Sequence, residues 1–160
     1  MPRWRHWLQR IPHSQVVQRS DLRNPASQRL ISPSKFQHWA RCIGIDQDSR
    51  VVIVDEKYDA TWLWWAFCRY GKSNVQVLDG GLKAWKNQQL PLKSGPLRPV
   101  QKLIPGSFTA VIGADFPVAD LAMVLASQHD SSIQLWDTRE LHEWDGRTRV
   151  RGAMRAGRIA

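Results

Sequence analysis

Two short valine-rich runs separated by a helical segment, within residues 51–90, constrain the fold more than any other feature of this sequence. The first run, Val51–Val54, is β-branched throughout, which is typical of a strand buried on both faces of a parallel sheet. The second run, residues 74–78, follows Gly71, a residue type that ends helices in the left-handed conformation. Two strands joined by such a helix predict a right-handed βαβ unit. The fold class is therefore predicted to be α/β.

The helical segment between these strands, residues 60–70, is rich in tryptophan. Trp62 and Trp65 lie three residues apart, a spacing that places them on one side of this helix, and Trp85 lies on the next predicted helix. We expect these three side chains to be largely buried in the core.

Composition narrows the class of protein. Hydrophobic residues make up 42% and charged residues 23% of the chain, as in soluble globular proteins. The longest apolar run, residues 60–68, is far shorter than the roughly 20 residues that a membrane helix needs. The two cysteines, Cys42 and Cys68, show no metal or redox spacing, so we predict no metal, no cofactor and a reducing, cytoplasmic location.

The net charge of +9 is uneven along the chain. Residues 1–50 contain nine Lys/Arg against three Asp/Glu, whereas residues 105–160 contain six against seven. These basic residues are scattered and lack a glycine-rich or aromatic RNA-binding signature, which disfavours a nucleic-acid partner. The charge is more typical of a solvated basic surface that attracts small anions.

Three consecutive motifs resemble the tandem-domain rhodanese-type sulfurtransferases, the thiosulfate and 3-mercaptopyruvate sulfurtransferase family. They are a strand that ends in Asp55 (VVIVD), a helix with paired tryptophans (WLWWAFCRYG), and a turn with its helix (NVQVLDGGLKAW). The resemblance implies a rhodanese-like parallel sheet flanked by helices. It also implies an enzyme that moves sulfane sulfur from thiosulfate or 3-mercaptopyruvate to a thiophilic acceptor through a cysteine persulfide. In this family only the second of two similar domains is catalytic.

The resemblance also predicts the domain organisation. Residues 1–88 are expected to form a partial first, non-catalytic domain without its opening strand, helix and strand. Residues 89–107 contain four prolines and are the predicted linker. Residues 108–160 resemble the start of a second domain, with strands at 108–112 and 133–136 and a helix at 117–127. Compared with the family pattern, we expect the sequence to be truncated at both ends.

Asp55 occupies the position at which the family's catalytic domain has its cysteine. A carboxylate cannot form a persulfide, so we expect no catalytic residue in this chain and no activity from the chain alone. A helix is expected to begin at Ser32-Pro33, with the serine as its N-cap and the proline at its first position. Cys42 is interpreted as a cysteine of this helix without a catalytic partner, and Cys68 as a core residue.

The remaining candidate residues are anion-binding or structural. Arg147 and Arg155 are candidates for binding a small anionic sulfur donor, because guanidinium groups present a fork of donors to such anions; a solvated arginine cluster is the alternative. Asp137 and Arg139 are expected to form a structural ion pair, and the turn Asp79-Gly80-Gly81 is also expected to be structural. A non-catalytic rhodanese-like interaction or regulatory module is the alternative function.

Overall fold

The computed structural model describes residues 9–55, 59–95, 104–113, 115–149 and 156–158. These residues separate into two compact units, Met1–Pro117 and Val118–Ala160. Across the described ranges, no helix combines the length and apolarity needed to cross a membrane. The elements, in chain order, are a 3-10 helix Arg19–Leu22, α1 Pro33–Cys42, β1 Val51–Ile53, α2 Asp59–Arg69, β2 Val75–Val77, α3 Gly81–Asn87, α4 Leu121–Ala126 and α5 Leu141–Trp144.

The predicted βαβ unit is present in the first compact unit. β1 and β2 pair in parallel, with Val51 opposite Val75 and Ile53 opposite Val77, and α2 connects them. Ile53 lies in the core with residues of α2. Because successive side chains of a strand point to opposite faces, Val52 faces away from that core and is 54% exposed. The prediction of burial on both faces is therefore wrong for β1.

The core of this unit is built around Phe36 on α1. The helix begins where predicted, because Ser32 accepts a hydrogen bond from the Lys35 N–H and Pro33 supplies a preset φ at the first position. The Phe36 ring contacts those of Phe67 and Tyr70 at centroid distances of 5.1 and 4.9 Å. All three rings are buried, so this aromatic cluster joins α1 to α2.

Trp62, Trp65 and Trp85 are each partly buried, and Trp62 and Trp65 pack against the core. On α2 the core-facing positions are taken by Ala66 and Phe67, which are 0% and 1% exposed. The bulky indole rings of this helix flank that buried stripe and cover its edges.

The segment after the predicted linker packs onto the first unit. Phe108 is fully buried in the same core as Phe36. Its N–H donates to the Ile45 carbonyl at 3.1 Å, and the Val111 N–H donates to the Tyr70 carbonyl at 3.2 Å. These bonds lead to a loop and a helix end rather than to a strand, and the segment 108–112, predicted as a strand, is not one. The two compact units consequently divide after Pro117, ten residues later than the predicted start of a second domain at 108.

The second unit contains two short helices. α4 begins at Leu121, because the Asp120 carboxylate accepts a hydrogen bond from the Met123 N–H at 2.9 Å. The predicted strand at 133–136 has no strand partner among the described residues and is not a strand. None of the residues described in 118–149 and 156–158 is buried. The side chains of this unit are therefore largely exposed, with Trp136 at 80%.

Candidate functional site

The carboxyl ends of β1 and β2 border a cavity of about 640 Å³. Ligand sites of open α/β sheets lie at this end of the strands, where loops and helix starts converge. The cavity is lined by residues from the end of β1, the start of α2, and the segment from β2 through α3: Asp55, Ala60, Thr61, Val77, Leu78, Asp79, Gly80, Gly81, Lys83 and Lys86.

Asp55 joins the elements around this cavity. Its carboxylate Oδ2 accepts a hydrogen bond from the Asp59 N–H at 3.1 Å, which satisfies a backbone donor at the start of α2. Its carbonyl oxygen accepts from the Leu82 N–H at 3.4 Å, at the start of α3. The Asp55 side chain thus helps to hold the start of α2.

The turn beside Asp55 requires glycine at two successive positions. Gly80 and Gly81 have φ values of +68° and +56°, which side chains disfavour. A Cβ at Gly81 would lie 2.0 Å from the Asp55 carbonyl oxygen. The turn is closed by the backbone hydrogen bond from the Gly81 N–H to the Leu78 carbonyl at 3.0 Å, whereas the Asp79 side chain is exposed. The two glycines therefore allow the backbone to approach Asp55 closely.

The charges of the cavity are balanced, with Asp55 and Asp79 against Lys83 and Lys86. The two lysines were not predicted as site residues. The sequence does contain a signal for them: they are three residues apart on the helix that follows the glycine turn, a spacing that places both on one side of that helix.

Neither cysteine is among the residues that line the cavity. Cys68 lies on α2 and is 8% exposed, and burial raises the pKa of its thiol, which keeps it protonated. Cys42 is exposed near the end of α1, with its Sγ 3.5 Å from Nε2 of His38. Among the described residues, no three His, Cys, Asp or Glu side chains form a group able to hold a metal ion. The described cavity lining therefore carries carboxylates, amines and a hydroxyl, but no thiol.

An ion pair lies at the start of α2. Arg19 Nη1 is 2.9 Å from Asp59 Oδ1, and the Arg19 guanidinium lies 5.0 Å from the centroid of the Trp62 ring. Arg19 precedes Asp59 by 40 residues, so local sequence patterns contain no signal for this contact.

The predicted residues of the second unit form two separate ion pairs. Arg139 Nε donates to both Asp137 oxygens at 2.9 and 3.0 Å, and its Nη2 reaches the Gly157 carbonyl at 3.1 Å. Hydrogen bonds from Arg139 hold the pKa of Asp137 below its ordinary value. The pair therefore ties the segment after residue 136 to the segment at 156–158.

Arg147 is directed at its near neighbour Asp145. Its Nε and Nη2 both lie 2.6 Å from Asp145 Oδ2, although its side chain is 67% exposed. Those two donors of the fork are thus engaged by a carboxylate, with which an anionic donor would compete. The second candidate, Arg155, lies outside the described residues.

Comparisons with known proteins agree with this α/β architecture. The rhodanese-like domain family matches residues 3–88, which is more than half of the chain. The chain therefore belongs to the rhodanese family, with an α/β fold and a parallel sheet flanked by helices.

Two curated relatives are sulfurtransferases. The 3-mercaptopyruvate sulfurtransferase of Escherichia coli strain K12 is 30% identical over 122 residues, covering 75% of this chain and 42% of the relative. The mouse (Mus musculus) 3-mercaptopyruvate sulfurtransferase is 29% identical over 132 residues, covering 80% of this chain and 40% of the relative. The chain thus spans about two fifths of the length of each.

A solved structure shows the same fold. The crystal structure of SseA from Escherichia coli, described as a 3-mercaptopyruvate sulfotransferase with the rhodanese fold, superimposes with a TM-score of 0.75 at 25% identity. The match covers 95% of this chain and 59% of that one.

Proposed function

We propose that this chain is part of a sulfurtransferase that moves sulfane sulfur from thiosulfate or 3-mercaptopyruvate to a thiophilic acceptor. In this proposal the sulfur is carried as a cysteine persulfide on a residue outside this 160-residue sequence. The observation that carries it is Asp55, which lies at the carboxyl end of β1 beside the glycine turn, where the family pattern predicts the cysteine of a catalytic domain. The sulfurtransferase relatives support the class of reaction.

The chemistry of the two cysteines supports this assignment. A persulfide forms when a thiolate attacks a sulfane sulfur, so the attacking group must be ionised and accessible. Cys68 is buried, and its pKa is raised by that burial. Cys42 is exposed, but it is on α1 and does not line the described cavity. Neither thiol thus combines exposure with a place among the described lining residues.

A small anionic sulfur donor is the proposed substrate. Arg147 remains the proposed donor-binding residue of the second unit, and it would exchange its contacts with Asp145 for contacts with the donor.

A cytoplasmic location is part of the same proposal. It is supported by the two free thiols, which are typical of reducing compartments.

The proposal is tested by assaying the purified 160-residue chain with thiosulfate or 3-mercaptopyruvate and cyanide as acceptor. We expect no turnover above the rate given by free thiols in the buffer. Turnover that disappears in Cys42→Ser or Cys68→Ser would show that the chain carries its own persulfide and would contradict the proposal. Sequencing the genomic region beyond codon 160 is the complementary measurement, and we expect it to encode a further cysteine-containing rhodanese segment.

A non-catalytic interaction or regulatory module is the second candidate. It is favoured by the balanced charges of Asp55, Asp79, Lys83 and Lys86 at the cavity, which suit the binding of a group that carries charges of both signs, without sulfur chemistry. A transcript that ends after codon 160, together with a bound partner lost on Lys83→Ala and Lys86→Ala, would support this candidate over the first.

A further inference from the structure

One face of α1 brings together a thiol and an imidazole that the proposed function does not use. His38 and Cys42 are four residues apart, a spacing that places two side chains one above the other on a helix. Both are exposed, and Cys42 Sγ lies 3.5 Å from His38 Nε2. The pair lies on a helix of ten residues that is fixed in the core by Phe36 and Ala40.

The separation of these two atoms matches the geometry of a tetrahedral metal ion. Zn²⁺ binds cysteine sulfur at about 2.3 Å and histidine nitrogen at about 2.0–2.1 Å. At a tetrahedral angle of about 109°, these bond lengths place the sulfur and the nitrogen about 3.5 Å apart. The two atoms are therefore already at the separation that a shared metal ion requires, and rotation of the side chains would direct both at the ion.

We propose that His38 and Cys42 form a two-ligand chelating site for Zn²⁺ or another thiophilic divalent metal. Binding replaces the Cys42 thiol proton, which is released to solvent, with a metal–thiolate bond. Because the described residues contain no group of three possible ligands, water completes the coordination. The neighbouring guanidinium of Arg41 is directed away, since its Nε donates to the Phe108 carbonyl at 2.8 Å.

Softness of the ligands sets the selectivity of this site. Thiolate and imidazole favour Zn²⁺ and similar metals over Mg²⁺ and Ca²⁺, which take oxygen ligands. The contribution of each ligand depends on the other, because the second bond forms within the same molecule at high effective concentration. Loss of either side chain is thus expected to weaken binding strongly.

The test is calorimetric titration of the tag-free, reduced, metal-free 160-residue chain with Zn²⁺ alone. We expect one ion per chain and no binding of Mg²⁺ under the same conditions. Cys42→Ser and His38→Ala should each weaken Zn²⁺ binding by at least about tenfold. His129→Ala, which changes an exposed histidine elsewhere, should bind as the unaltered chain does, and circular dichroism should show the same fold for all variants.

A second readout is alkylation of Cys42. Zn²⁺ should slow the reaction of Cys42 with iodoacetamide, and a chelator should restore it, whereas Cys68 stays unreactive throughout because it is buried. Binding that survives in both variants would overturn the proposal. Binding that is lost in Cys42→Ser but unchanged in His38→Ala would overturn it as well, because the thiolate would then act without the imidazole. Neither result bears on the sulfurtransferase assay.

Discussion

The Arg41 side chain donates a hydrogen bond from Nε to the carbonyl oxygen of Phe108 at 2.8 Å, across 67 residues of sequence. Next to this bond, Ser107 donates to Asp46 Oδ1 from both its N–H and its hydroxyl, each at 2.8 Å. The segment 104–113 is thereby fixed to the loop after α1. These contacts make the segment part of the first unit, and they motivate the first two predictions.

Phe108→Ala is expected to destabilise the first unit by about 3–5 kcal/mol, because it removes a fully buried ring and leaves a cavity beside Phe36. Chemical denaturation monitored by tryptophan fluorescence measures this change. Ile104→Ala is the matched control, since Ile104 is 89% exposed and its removal should leave the midpoint nearly unchanged. Equal midpoints for Phe108→Ala and the unaltered chain would show that the ring is not in the core.

Hydrogen bonds from Ser107 hold the pKa of Asp46 below its ordinary value of 3.8. A carboxylate whose pKa is lowered by folding stabilises the native state above 3.8 and loses that contribution as the pH falls below it. Ser107→Ala should therefore lower the Tm at neutral pH and flatten its fall between about pH 4 and pH 2. A fall in Tm just as steep in the variant would contradict this assignment. Ser49→Ala is the control, because the Ser49 hydroxyl accepts from the Asp46 N–H and does not contact its carboxylate.

Shortening the chain tests where the first unit ends. A chain that stops after Pro117 retains Phe108 and its hydrogen bonds, so it should unfold cooperatively with the tryptophan-monitored midpoint of the full chain. A chain that stops after Gly106 lacks them and should unfold at a lower denaturant concentration. If both shortened chains unfolded at the same midpoint, the segment 107–117 would not contribute to this unit.

Gly81→Ala is expected to destabilise the turn at the candidate site. The new Cβ would lie 2.0 Å from the Asp55 carbonyl oxygen, and the φ of +56° adds strain of about 1–3 kcal/mol. Hydrogen exchange at the start of α3 should report a local loss of protection as well as a lower Tm. Gly113→Ala is the control, because its Cβ meets atoms only at 3.6 and 3.8 Å. Unchanged stability in Gly81→Ala would mean that the backbone is not this close to Asp55.

Asp55→Ala is expected to cost about 0.5–2 kcal/mol, because the Asp59 N–H loses its carboxylate acceptor at the start of α2. Asp55→Asn retains a carbonyl oxygen that accepts from the same N–H and should recover part of the loss. Thermal unfolding of the two variants measures the difference. A larger loss of stability in Asp55→Asn than in Asp55→Ala would show that the contact with Asp59 is not stabilising. Asp55→Cys should be destabilised similarly and should show little sulfurtransferase turnover.

The sequence alone determined the local architecture of the first unit. β-branched runs, Gly71 and the Ser32-Pro33 start predicted the βαβ unit and α1, because periodicity, capping and turn residues act over a few neighbours. The glycine turn beside β2 was predicted for the same reason. The i, i+4 spacing of His38 and Cys42 was also visible in the sequence, but only the side-chain rotamers bring their atoms to 3.5 Å.

Only the tertiary structure decided which side chains fill the core and where the first unit ends. Tryptophan content predicted burial of Trp62 and Trp65, and both pack against the core. The fully buried rings, however, are those of Phe36, Phe67 and the distant Phe108. The four prolines of residues 89–107 predicted a boundary at 108, but the apolar surface of Phe108 and the donors of Arg41 hold the following segment against the first unit. Hydrophobic burial and hydrogen bonding between residues far apart in the chain depend on which surfaces meet, and no local pattern encodes that choice.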